Sequence, residues 1–167
     1  MAKTLVAFYS RRDENYLHGQ LQYLEIGNTE IVAGMIEKLT GADVFKIEQK
    51  IPYSKKYKEC TEEAKLDKDN NARPELKNIL ESIDQYDEIY LGYPNYWGTM
   101  PMAVFTFLES FDFSNKVIKP FCTHEGSGLG NSVKDIKKVC PLANVKDGLA
   151  IFGGEVKESQ DVITKWI

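Results

Sequence analysis

The chain has 167 residues, 43% of them apolar and 28% charged, with a formal net charge of −4, which suffices for one domain with a real core and is too little for two comfortable ones. The mildly acidic balance and the lack of a basic stripe argue against nucleic acid or an anionic membrane as partner. No stretch reaches the roughly 20 apolar residues of a membrane span, and no basic segment followed by an apolar signal core opens the chain, so a soluble, cytoplasmic protein is expected.

The first predicted element is "TLVAFYS", Thr4 to Ser10, a near-continuous apolar run of the kind that suits a strand buried on both faces. A polar and aromatic stretch, Arg11 to Ile26, then delays the first helix, whose apolar stripe is Ile31, Val32, Met35, Ile36 and Leu39. Asp43 to Glu48 alternates weakly as a second strand. Ser54 to Arg73 is mixed in charge and poor in aliphatics, and reads as a long connection holding at most a short helix. Leu76, Ile79, Leu80 and Ile83, opened by Pro74, predict a helix. Glu88 to Pro94 is the third strand, and Met102, Phe105 and Leu108 after Pro101 mark the next helix. Val117 to Thr123 is the fourth strand, with a bulge or an edge expected at Pro120, which has no N–H to donate. A helix on Val133, Ile136 and Val139, a strand from Gly148 to Phe152, and a last helix on Val162, Ile163 and Trp166 complete the chain. Five strands alternating with five helices predict a doubly wound parallel α/β sheet with helices on both faces. No repeat or linker divides it, so residues 1–167 are expected to form a single domain.

Ligands of such sheets bind outside the carboxyl ends of the strands, which directs attention to three loops. After the first strand, "GNTE", Gly27 to Glu30, combines a residue that lets backbone approach closely with cap-type side chains and the unpaired N–H groups of a helix start. An ordinary N-cap needs the same residues, so this loop alone leaves an anion site and a plain cap both open. After the third strand, "YPNYWGTMP", Tyr93 to Pro101, brackets Tyr96, Trp97 and Gly98 between prolines. A Trp at a loop apex on the ligand-binding edge suits stacking against a flat ring. After the fourth, "THEGSGLG", Thr123 to Gly130, offers small residues beside polar ones, although its GxGxG spacing fails the dinucleotide fingerprint. Together the loops describe an anion cradle, an aromatic platform and a glycine-rich polar wall, a pocket for a phosphorylated flat cofactor.

On these three motifs the chain resembles the flavodoxin-like FMN proteins over essentially its whole length. "TLVAFYS…GNTEIVA" is similar to their phosphate loop and first helix; "PNYWGTMPMAVFTFLES" and "PFCTHEGSGLG" are similar to the two flavin-ring loops of a flavodoxin subgroup. The resemblance implies a five-stranded sheet in the order 2-1-3-4-5 and FMN as the cofactor. It implies that Ser10, Asn28 and Thr29, with the backbone of the Gly27 turn, hold the phosphate. Trp97 and Tyr96 would face the ring, with Asn95, Gly98 and Thr99 near its N5 edge, Thr123, His124, Glu125, Gly126 and Gly128 along the pyrimidine side, and Pro94 also among the cofactor-binding residues. Gly98 is the residue best suited to a peptide flip that would stabilise the one-electron-reduced ring. The departure from the family pattern is Arg11 to Ile26, inserted where relatives run straight from strand to helix. Its length and aromatic content point to a lid over the phosphate and one flavin edge, with Arg11 adding charge-assisted contacts.

Three functions follow for comparison. An electron carrier would exchange single electrons with redox partner proteins; an NAD(P)H-dependent reductase of quinones or similar small acceptors would need room over the ring; a phospho-receiver needs an Asp at the end of the third strand, where this chain has Tyr93 and Pro94. The carrier is the favoured reading. His124 and Glu125 read as surface or hydrogen-bonding residues rather than catalytic ones. Cys60, Cys122 and Cys140 are widely spaced and form no CxxC pair, so neither a disulfide framework nor a metal site is expected. The sequence leaves the oligomeric state open.

Overall fold

The computed structural model describes residues 3–167. Its elements are β1 (Thr4–Phe8), β2 (Asp13–Leu17), β3 (Gln20–Leu24), α1 (Asn28–Thr40), β4 (Asp43–Lys46), α2 (Tyr57–Asp69), β5 (Glu88–Pro94), α3 (Met102–Glu109), β6 (Val117–His124), α4 (Ser132–Val139), β7 (Asn144–Val145), β8 (Leu149–Phe152) and α5 (Gln160–Trp166), with a 3-10 turn at Gly153–Glu158 before the last helix. The main sheet is parallel, in the order β4-β1-β5-β6, and β7 and β8 both pair with β6 at the far edge. Counted as five strand positions, with β7 and β8 sharing the last, the order is the expected 2-1-3-4-5.

Successive side chains of a strand point to opposite sides, and the inner strands β1, β5 and β6 bury both faces. Leu5 and Ala7 join a core with Leu91, Val104, Phe107 and Ile136, beneath α3 and α4. Val6 and Phe8 join a second core with Val32, Ile36 and Ile163, beneath α1 and α5. A run such as "LVAF" is therefore continuous rather than alternating. Among the described residues no helix is long and apolar enough to cross a membrane.

Pro120 stands in register opposite Leu91 in a continuous, central β6, neither bulged nor at an edge. Ile118 accepts the Lys146 N–H (2.9 Å) on the β7–β8 side, and Pro120, two residues on, turns its donorless nitrogen the same way. The edge strand is broken there, between β7 and β8. The missing donor is accommodated by interrupting the neighbour instead of the strand that carries the proline.

The helix predicted after Pro74 does not form; the helix of this region is α2, inside the stretch read as a connection. Leu76 instead bridges Gln49 in extended pairing, with Lys50 N–H on Glu75 O and Lys77 N–H on Glu48 O, both at 2.8 Å. Leu76 and Leu80 pack on the core as parts of an extended segment, so backbone pairing overrides the helical spacing. α2 escaped notice because only Cys60 and Ala64 are buried along it, too narrow a stripe to stand out against its charges. The insertion is likewise not an unstructured loop. It is an antiparallel hairpin, β2 paired with β3 from Asp13↔Leu24 to Leu17↔Gln20. His18 (φ 52°) and Gly19 (φ 75°) form its two-residue turn, the type I′ geometry that matches strand twist.

Candidate functional site

A cavity of about 550 Å³ opens at the carboxyl end of the sheet, where β1, β5 and β6 finish side by side. Its first wall is the start of α1. A Cβ on Gly27 would lie against Ser10 Oγ and 2.5 Å from the Arg11 carbonyl oxygen, so only glycine lets the chain pass this point. Ser10 Oγ accepts the Glu30 N–H at 3.0 Å and thus caps the helix from across the hairpin base. The N–H groups of Asn28 and Thr29 have no partner among the described residues, leaving two donors and the positive end of the helix dipole at the cavity. Thr29 Oγ1 and the Thr123 hydroxyl lie 2.8 Å apart and buried, tying this wall to the end of β6.

The hairpin crosses over that wall and is held at both ends. At its base the Arg11 guanidinium donates to the carbonyls of Glu14 (3.1 Å) and Lys55 (2.9 Å). Glu14 Oε1 accepts the Tyr57 N–H (2.8 Å), and Tyr16 packs on the Tyr57 ring at 5.4 Å. At its tip His18 lies against Phe152, 6.1 Å between ring centroids, and a side chain on Gly154 would collide with the imidazole. None of the residues of β2 or β3 is fully buried, so the hairpin depends on these contacts for its position.

The third wall is a two-residue turn, Trp97–Gly98, closed by hydrogen bonds between Tyr96 and Thr99 (2.8 and 3.2 Å). Trp97 takes φ 55° and Gly98 φ 85°, again the type I′ form, which is uncommon for a Trp. Neighbours on three sides hold it. Trp97 Nε1 donates to Thr61 O, Lys68 Nζ donates to Trp97 O, and the Asn131 N–H donates to Gly98 O, at 2.8, 2.8 and 2.7 Å. The Asn95 amide spans two loops, accepting from Gly98 N–H (2.9 Å) and donating to Gly128 O (2.8 Å). Beneath the turn the Tyr96 hydroxyl is buried and has no hydrogen-bond partner. Burial pushes both it and the neighbouring Cys60 thiol up in pKa, so both stay protonated.

The fourth wall runs from Thr123 to Ser127. His124 Nδ1 accepts the Gly126 N–H at 2.9 Å, its ring sits edge-on to Phe152 at 5.7 Å, and burial holds its pKa below the usual imidazole value. Behind it Cys122 is pushed up to about 12 by burial, an inert thiol. The last wall is α2, which presents Tyr57, Cys60, Thr61 and Ala64 to the cavity.

The flavodoxin sequence model matches residues 21–167. The chain belongs to the flavodoxin family. Solved structures with the same fold include a candidate flavoprotein from Bacteroides eggerthii (27% identity, TM-score 0.74, covering 98% of this chain and 99% of that one). Another, from Bacteroides uniformis, is 25% identical with a TM-score of 0.77, covering 98% of each chain. A third, a flavoprotein in complex with FMN from Lactobacillus acidophilus, is 18% identical with a TM-score of 0.65, covering 99% of each chain. Comparison with curated proteins gave no significant sequence match.

Most of the residues expected at the site of this flavodoxin-family chain do meet at the cavity: Arg11, Asn28, Thr29, Pro94, Asn95, Tyr96, Trp97, Gly98, Thr123, His124 and Glu125. Ser10, Thr99, Gly126 and Gly128 stand behind that surface. Ser10 caps α1, Thr99 Oγ1 donates to Asp135 (2.5 Å), Gly128 O holds Asn95, and the Gly126 N–H holds His124. Asn15 and Tyr16 enter from the hairpin, and Ser127 was passed over among small residues. The α2 wall was missed altogether. Its cavity residues are spaced i, i+3, i+4 and i+7, a helical stripe that was visible as spacing though not as hydrophobicity.

Proposed function

We propose that this protein binds FMN in the cavity and works as an electron-transfer carrier. One observation carries the proposal: the free donors at the start of α1 open onto the same space as the Tyr96–Trp97 platform, so an anion cradle and a slot for a flat ring are joined. The residues fit such a group on two counts. The Gly27 approach leaves room for a phosphate against the helix N-terminus. His124, with Nδ1 occupied by Gly126, has its second ring nitrogen left for a ligand.

In this reading Asn28 and Thr29 bind the phosphate through backbone N–H groups, and Arg11, its Nε and one terminal nitrogen committed to carbonyls, adds positive charge without swinging free. Asn95 fixes the spacing between the two ring-facing loops. The hairpin, latched at Tyr57 and Gly154, covers the phosphate end and keeps water from it. FMN, when bound, supplies reversible electron uptake, and the polypeptide supplies binding, orientation and electrostatics.

The carrier is favoured over an NAD(P)H-dependent reductase because Trp97 is fastened to α2 by its indole N–H, and α2 and the hairpin line the same cavity. A nicotinamide needs an open ring face. Anaerobic reduction of the FMN-loaded protein, first with NADPH and then stepwise with dithionite, separates the two. A carrier ignores NADPH and passes through a one-electron spectrum during the dithionite steps. Rapid two-electron bleaching by NADPH would establish the reductase.

A further inference from the structure

We propose that His124 is a fixed, neutral hydrogen-bond donor to the carbonyl-bearing edge of the ring, and that acid weakens cofactor binding by protonating its Nδ1 and breaking the Gly126 turn. The assignment rests on the FMN reading. It starts from one geometric fact: Nδ1 accepts the Gly126 backbone N–H at 2.9 Å. An imidazole nitrogen can accept only while it carries no proton, so the hydrogen of the neutral ring sits on Nε2.

That Nε2–H has no partner among the described residues, and His124 lines the cavity. A lone donor on a residue that lines such a space selects an acceptor, a ring carbonyl or ring nitrogen, which is the chemistry of a flavin's pyrimidine edge. The ring's orientation is set independently of any ligand. His124 ends β6 in register with Phe152 of β8, and Phe152 packs edge-on against it.

Protonation cannot leave this arrangement intact. A proton on Nδ1 would face the Gly126 N–H donor to donor, and one of the two must withdraw. Gly126 sits at φ 132°, a conformation that only glycine tolerates well, so the turn has little to hold it once that bond is lost. Glu125, its sequence neighbour, follows the turn and favours the charged imidazole; burial opposes it and prevails. His18, which lies against Phe152 from the hairpin, the Cys122 thiol two residues back and Tyr57, close enough to feel the Glu125 charge, are further titratable groups nearby. Phe152 and Gly153 at the β8 corner bring no charge.

The test compares wild type with His124→Gln, whose amide can donate but does not titrate. FMN affinity is read by fluorescence quenching at about pH 7.5 and about pH 5. The phosphate's own second ionisation, near pH 6, acts on both proteins equally and cancels in the comparison. Wild type is expected to lose more affinity on acidification than the variant does. Ring-nitrogen NMR of the apo protein is expected to show Nδ1 unprotonated and Nε2 protonated at neutral pH. Parallel pH profiles, or the opposite tautomer, would overturn the assignment alone. Failure of both proteins to bind FMN at about pH 7.5 would remove the cofactor reading, and the assignment with it.

Discussion

Gly27→Ala tests how the start of α1 is built. A methyl at this position meets the Ser10 hydroxyl and comes within 2.5 Å of the Arg11 carbonyl oxygen and 2.8 Å of its carbon. Backbone on one side cannot yield cheaply, so Ser10 must leave and its bond to the Glu30 N–H (3.0 Å) is lost. Losing the cap costs about 1 kcal/mol, and overpacking costs about 1–3 kcal/mol more. For a chain of this size the melting temperature should fall by on the order of 10 °C. FMN affinity should fall at least about tenfold, because the donors of Asn28 and Thr29 move with the turn. Gly34→Ala is the matched control. It lies in the same helix with nothing within 4 Å of its added methyl and should stabilise by roughly 0.5–1 kcal/mol. Differential scanning calorimetry and flavin titration read both variants. If Gly27→Ala melts within a degree or two of wild type and binds FMN as well, the close-approach account of this turn is wrong.

Tyr96→Phe removes a buried hydroxyl that lacks a partner, so the apo protein should gain about 1 kcal/mol; lower thermal stability would show that the hydroxyl is already bonded, with Cys60 the neighbour to suspect. Joining Arg12 to Ile26, without the hairpin residues 13–25, should weaken FMN binding while the sheet still folds, since no residue of β2 or β3 is fully buried; an unchanged dissociation constant by fluorescence would refute its role as a cover. Apo stability should depend on pH through His124. Its folded pKa lies below the ordinary imidazole value, so its contribution is complete above about pH 6.5 and declines as the pH falls from there to the depressed value, because the unfolded chain takes up the proton first. Chemical denaturation of wild type and His124→Gln across that window checks it, and identical pH dependence would count against it.

The sheet was legible because its inner strands β1, β5 and β6 are buried on both faces and so announce themselves as apolar runs. "TLVAFYS" and "EIYLGYP" needed no tertiary information. Pro120 was misjudged because the sequence shows the missing donor but not which neighbour faces it. The region from Ser54 to Ile83 was inverted for a related reason. Leu76 and Leu80 carry helical spacing yet are used in an extended segment paired to residues 48–50, while α2 faces a cavity and so has little need of an aliphatic stripe. The walls built from the start of α1, the Trp97–Gly98 turn and the Thr123–Ser127 loop were legible from chemistry, as glycine, cap residues and aromatics at strand ends. The α2 wall could be read only as the i, i+3, i+4, i+7 spacing of Tyr57, Cys60, Thr61 and Ala64. In the hairpin, the His18–Gly19 turn between short alternating runs was a local signal, masked by polar residues that leave both faces largely wet.

The most direct test of the central claim is a fluorescence titration of the purified protein with FMN and, in parallel, with riboflavin, which has the same ring and no phosphate. A cavity that joins a phosphate cradle to a ring slot predicts saturable one-to-one quenching by FMN and binding at least about 100-fold weaker for riboflavin, the loss of two or more charge-assisted hydrogen bonds. Equal affinities would mean that the start of α1 does not grip phosphate. An absence of saturable FMN binding would mean that the cavity belongs to a different ligand.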